Sequence, residues 1–159
     1  SAGYKVSSAY TLVKDTGKVN FSYRDNLWRG ADLLATGIAS FGHAAGAHYQ
    51  NLPHMEQYLG AIEGGELPLG RGFVPTEHQA LIREMILLLK RGFLEREYFQ
   101  SKFGVDIVEN WKSVWEGYVE EGLAEIHPDE VKLTREGLLR VDSMLPAFFE
   151  PEHQNVRYT

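Results

Sequence analysis

The residues with the most chemical potential crowd into GIASFGHAAGAHYQN, positions 37–51, where three glycines and two histidines share fifteen places. Several chemistries use such material. A phosphate cradle needs glycines directly ahead of a helix, often with a lysine to follow; no lysine is near. A metal site from His43 and His48 needs further ligands, and a five-residue spacing in a Gly/Ala run fits no common zinc pattern. A nucleophilic serine needs a strained elbow; Ser40 has His43 close in sequence but no nucleophile motif around it. Glycines after a buried strand can instead let backbone approach a ligand closely, and the competing reading is a tight structural turn. His43 and His48 are poised near neutral pH to donate protons or pair with carboxylates. Upstream, Arg24 can grip a carboxylate through two parallel hydrogen bonds. Tyr23 and Trp28 can stack on a flat ring or fill a core.

These residues must be held by elements, and the sequence divides into two grammars. Residues 4–51 favour β structure. An apolar stretch from Val6 to Val13, a turn at Asp15-Thr16-Gly17, and the alternation of Val19, Phe21 and Tyr23 with polar residues predict a hairpin of 4–13 with 18–24. LLATGIASF, residues 33–41, reads as a buried strand. A short helix is expected from Pro53 to Ile62, ending at Gly64-Gly65, and ELPLGRGFVP, residues 66–75, reads as a linker.

From Thr76 the period is helical. Thr76 with Gln79 forms a capping box, and Leu81, Ile82, Met85, Ile86, Leu88 and Leu89 line one face as far as Gly92. A short helix with Tyr98, Phe99 and Phe103 inward closes at Gly104. A third carries Ile107, Val108, Trp111, Val114, Trp115, Tyr118 and Val119 to Gly122. Leu123–Ile126 and Val131–Leu133 flank a turn at His127–Glu130, and Thr134 caps a last helix through Leu145. Three helices, a two-stranded wing and a helix make a winged-helix order. The expected fold class is therefore α+β: strands in 1–52, a helix and linker in 53–75, a winged-helix-like domain in 76–149 and a tail in 150–159.

Composition excludes much. A net charge of −6 and a pI near 5.5 disfavour nucleic acid and anionic membranes. Helix 106–121 sets Asp106, Glu109, Glu116, Glu120 and Glu121 against Lys112 alone, so a winged-helix DNA-binding regulator is the least favoured function. No apolar run approaches the roughly 20 residues of a membrane span, and a cytoplasmic protein is expected. There is no cysteine, which removes disulfides, thiol nucleophiles and thiolate-held metals from the chain's own repertoire. The opening Ser1-Ala2-Gly3, with no initiator methionine, leads us to expect a portion of a larger protein. Exposed strand edges in such a portion can pair into a homodimer.

Longer motifs carry a family resemblance. WRGADLLATGIAS, residues 28–40, resembles the "WRGGDYLGLGAGA" stretch of the oxygen-independent coproporphyrinogen III oxidases, which are radical S-adenosylmethionine enzymes. GAHYQN at 46–51, Tyr58-Leu59 and Glu63-Gly64-Gly65-Glu66-Leu67-Pro68 are similar to that family's "RYxN…YL…GE.P" passage, and Leu133-Thr134-Arg135-Glu136-Gly137 to its C-terminal domain. The resemblance implies the last strands of a partial β/α barrel followed by a winged-helix-like domain. It implies a parent oxidoreductase that decarboxylates porphyrinogen propionates in heme biosynthesis, using a 4Fe–4S cluster on three N-terminal cysteines and S-adenosylmethionine. This chain, without cysteine, would hold no cofactor, would be inactive alone and would partner the N-terminal barrel portion. By the same resemblance Gly37 and Ser40 lie beside the S-adenosylmethionine, and Tyr23, Arg24, Trp28, His43 and His48 face a tetrapyrrole. Tyr23 and Arg24 stand where the family pattern "RHNxxYW" has histidine and asparagine, and His48 where it has arginine. These departures widen the substrate to tetrapyrroles generally, with a heme- or porphyrin-binding or trafficking module as the alternative function.

Overall fold

The computed structural model describes residues 2–15 and 17–153. They separate into two units: the residues up to Ser22 joined by those from Leu81 onward, and Tyr23–Ala80.

The first unit opens with β1 (Lys5–Ser8) and β2 (Thr11–Val13), paired antiparallel. The chain thus turns at Ala9-Tyr10, and the expected partner strand at 18–24 does not form. Asp15 still makes a turn, its side chain accepting from the Gly17 amide at 3.0 Å; Thr16 lies outside the described residues. Residues Ser22–Trp28 are instead a helix, α1. An alternation of five residues was too short to fix a strand once β2 had taken the pairing edge of β1. The Gly30 and Ala31 amides close α1 by bonding back to the Leu27 and Asn26 carbonyls at 3.1 and 3.0 Å, a Schellman end.

In the second unit β3 (Phe41–Ala44) and β4 (Ala47–Asn51) form a hairpin, α2 (Met55–Glu63) follows, and β5 (Leu69–Phe73) adds to β4. The order is β3-β4-β5, all antiparallel. Two expectations fall here. Residues 33–41 are not a buried strand: Gly37 at φ +94° and Ala39 at φ +55° break the extended path, leaving one bridge from Leu33 to His43. The 66–75 linker contains β5, whose two glycines hid its β character.

Helix α3 (Glu77–Leu89) begins at the expected capping box: the Gln79 amide donates to Thr76 Oγ1 at 3.2 Å, and the Thr76 amide to Gln79 Oε1 at 3.0 Å. After it come β6 (Phe93–Glu95), α4 (Arg96–Phe103), α5 (Ile107–Asn110), α6 (Lys112–Glu120), β7 (Ala124–Ile126) and β8 (Glu130–Leu133). The sheet order is β6-β8-β7, so the expected two-stranded hairpin gains a third strand. The expected third helix breaks at Trp111, where φ −119° and ψ 39° leave the helical region. The last helix likewise divides into α7 (Arg135–Leu139) and α8 (Val141–Met144), followed by a 3-10 turn at Leu145–Phe148.

The core of the first unit is dense. Trp115, Phe99, Met85, Leu89, Ile107 and Val131 are fully buried, and the Trp115 and Phe148 rings lie 4.8 Å apart. Each such side chain contributes about 2–3 kcal/mol by leaving water. The Trp115 indole keeps a partner, donating to the Ile107 carbonyl at 2.9 Å. The β1–β2 hairpin is tied on by Ala9, whose amide donates to the Lys90 carbonyl, and by the Tyr10 hydroxyl on Asp142. No helix of the described residues is long and apolar enough to cross a membrane.

Candidate functional site

The glycine-rich stretch builds a pegged loop behind a small sheet. Ala45 (φ 50°) and Gly46 (φ 78°) make the two-residue β3–β4 turn, with Asp32 Oδ1 accepting from the Ala45 amide at 3.1 Å. Both angles positive is the type I′ pattern, which matches strand twist. The preceding loop is held by side chains from outside it. Buried Asn51 donates through Nδ2 to the Gly37 and Ala35 carbonyls at 2.9 and 3.3 Å. Tyr49 Oη accepts from the Ala35 amide at 2.8 Å, and Tyr58 Oη from the Gly37 amide at 3.0 Å. Gly42 is required by Tyr49: a Cβ there would sit 2.2 Å from the tyrosine ring.

Gly37 and Ser40, expected beside the cofactor, are both in this loop. Their polar atoms bond within the fold, since Ser40 Oγ donates to the Thr36 carbonyl at 2.8 Å and Gly37 uses both its amide and its carbonyl. His43 and His48 face each other across the hairpin, with ring centroids 4.5 Å apart and an interplanar angle of 29°. Tyr23, Arg24 and Trp28 come together on α1 rather than on a strand. Tyr23 is exposed; Arg24 Nε donates to Asp25 Oδ1 at 2.8 Å, and its guanidinium lies 5.2 Å from the centre of the Trp28 ring. The expected carboxylate grip of Arg24 is therefore engaged inside the chain.

Cross-strand partners share a sheet face. The registers Phe41–Gln50, His43–His48, His48–Phe73 and Gln50–Arg71 gather these six residues on one side. Here a hollow of about 280 Å³ is lined by Phe41, His48, Gln50, Arg71 and Phe73 among others. Sequence reasoning missed Asn51, Tyr49 and Tyr58, whose role depends on pairing, and Arg71, which was read as linker. His127 and His153 sit beside Glu125 and Glu150 at 3.3 and 3.8 Å. Among the described residues one group of three possible metal ligands converges, Glu150, Glu152 and His153, with ligand atoms within 4.8 Å of one another.

A mixed α+β fold with this order is found in part of a solved structure. Coproporphyrinogen III oxidase from Escherichia coli, described as a radical SAM enzyme, superposes with a TM-score of 0.72 over 92% of this chain and 37% of its own, at 15% sequence identity. In sequence the chain is similar to oxygen-independent coproporphyrinogen III oxidases. The Helicobacter pylori protein is 26% identical over 119 residues, covering 72% of this chain, and the Pseudomonas aeruginosa protein is 23% identical over 124 residues. The chain spans about a quarter of these relatives' length, 26% in each case. No family model matches it.

Proposed function

We propose that the chain acts as the recognition portion of an oxygen-independent coproporphyrinogen III oxidase-like radical SAM protein, serving oxidative decarboxylation of tetrapyrrole propionates. Residues 1–52 would form the end of its barrel, 53–75 a helix and connection, and 76–149 a winged-helix-like lobe. The carrying observation is the fold agreement with the Escherichia coli enzyme over 92% of the chain; the relatives' names point the same way.

The residues present do not fit an iron–sulfur cluster, because none of the 159 is a cysteine. Under this reading the cluster and its S-adenosylmethionine chemistry belong to another portion, the partner of this chain. What the chain supplies is shape: the Gly37–Ser40 turn toward the cofactor, and Tyr23, Trp28, His43 and His48 toward the tetrapyrrole. The test is a chimera in which this chain replaces the matching segment of the Escherichia coli enzyme. Anaerobic loss of carbon dioxide from coproporphyrinogen III should exceed that of the segment deletion. Equal, background-level activity would count against the reading.

A porphyrin-binding module is the second reading, favoured by the His43–His48 pair on an open sheet face. It requires a Soret shift when the chain alone is titrated with heme, lost in His43→Ala and His48→Ala. A DNA-binding role is disfavoured by exposed Glu109, Glu116, Glu120 and Glu121 around α5 and α6.

A further inference from the structure

Arg71 is held from behind by a neighbouring strand. It sits in β5, and its Nε donates to Gln50 Oε1 at 2.7 Å. Gln50 is itself fixed, because its Nε2 donates to the Ala39 carbonyl at 3.0 Å. Ala39 is anchored in turn by its amide on the Leu52 carbonyl at 3.0 Å. The guanidinium is thus oriented through its inner nitrogen. Among the described residues its two terminal nitrogens have no hydrogen-bond or ion-pair partner. A planar fork held from behind and open in front is the geometry that receives a carboxylate by two parallel bonds.

The surroundings add a second requirement. Phe41 and Phe73 lie on the same face, 65% and 55% exposed, and line the hollow with His48 and Arg71. Two uncovered rings beside one oriented cation suit a flat apolar body that carries a carboxylate, whose faces take aromatic contact while the acid group meets the fork.

The geometry points to Arg71, positioned by Gln50, as the anion-binding group of a site for planar aromatic carboxylates on the open face of the β3–β5 sheet. This assigns to Arg71 the grip that the sequence suggested for Arg24. It goes beyond the proposed function, since it needs no cluster, no S-adenosylmethionine and no turnover. Failure of the chimera would leave it standing, and its own failure would leave the coproporphyrinogen reading standing.

The ¹⁵N-labelled chain is titrated with 2-naphthoate, with neutral 2-naphthalenemethanol and with inorganic phosphate, following backbone amides and the Arg71 Nε–H signal. Naphthoate should shift Phe41, His48, Arg71 and Phe73 saturably, and the neutral alcohol should bind about tenfold or more weakly. Arg71→Gln should lower naphthoate affinity by about tenfold or more and leave the alcohol unchanged. Arg71→Lys, which keeps the charge without the fork, should recover only part of it. Gln50→Leu should weaken naphthoate severalfold and move the Arg71 Nε–H signal in the free protein, as a positioning residue must. Unchanged signals elsewhere establish that each variant is folded. No saturable naphthoate binding, equal affinity for the alcohol, or an Arg71→Gln variant that binds normally would each overturn the assignment. Phosphate binding as tight as naphthoate would overturn the aromatic part by showing that charge alone is read.

Discussion

The two units are held together by different physics. In the unit containing the residues from Leu81 onward, nineteen apolar side chains among the described residues, counting Val13, form the buried core. Between Tyr23 and Ala80 no large apolar side chain is buried, while Leu34, Phe41, Leu67, Phe73 and Val74 are more than half exposed. That unit is ordered by hydrogen bonds, with Asn51, Tyr49 and Tyr58 pegging one loop. A net hydrogen bond contributes only about 1 kcal/mol, so the second unit has little reserve of its own. The lesson is a division of labour: a stable scaffold in one region, and in the other an uncovered surface fit to meet a ligand or partner.

Substitutions can break this contrast in order of size. Trp115→Ala should cost about 3–5 kcal/mol in chemical denaturation, as large-to-small core changes do. Phe73→Ala, which removes an exposed aromatic in the other unit, should stay within about 0.5 kcal/mol. Next comes Glu84, a buried carboxylate on α3 that accepts from Lys102 Nζ at 2.7 and 2.9 Å and from the Tyr98 hydroxyl at 2.6 Å. Lys102→Met should cost about 1–3 kcal/mol, toward the lower end because the ammonium is partly exposed and Tyr98 still donates.

Asn51→Ala should act locally. About 1–2 kcal/mol of protection should vanish from the amides of residues 35–40 in hydrogen exchange, with the main thermal transition nearly unmoved. The smallest effect concerns Asp106, the N-cap of α5, whose side chain accepts from the Val108 amide. Burial alone would raise its carboxyl, but the Arg96 guanidinium and the Val108 amide outweigh that and hold it below its ordinary 3.8. Asp106→Ala should cost about 1 kcal/mol at neutral pH. Because the folded-state value is depressed, this contribution is complete above the unfolded value near 3.8 and is lost as pH falls through the folded one. The difference between Asp106→Ala and the parent should close in that acid window.

The same contrast governs what the sequence revealed. Helix α3 was legible because period, capping box and glycine stop agreed with burial; α2 was legible from its glycine stop alone, and β7 and β8 from the turn between them. The breaks at Trp111 and Arg140 were not, since the apolar stripe runs on across both. In the other unit local signals misled. Ala45-Gly46 is a weak hairpin signature beside Asn-Gly, so the strand was placed on LLATGIASF instead of on either side of that turn. Gly70 and Gly72 disguised β5 as a linker. His43 and His48 were found by residue type, and the register then set them ring to ring. Arg71 and Gln50 could not be found, because their bond joins residues twenty-one apart through strand pairing.

The central claim, that one unit is a self-sufficient scaffold and the other a recognition surface, is tested most directly by amide hydrogen exchange with and without coproporphyrin III. Amides of α3, β6 and β8 should be well protected in both states. Those of β4, β5 and residues 35–40 should be only weakly protected alone and slow further on binding. Strong protection of β4 and β5 in the free chain, or slowing confined to the scaffold, would contradict it.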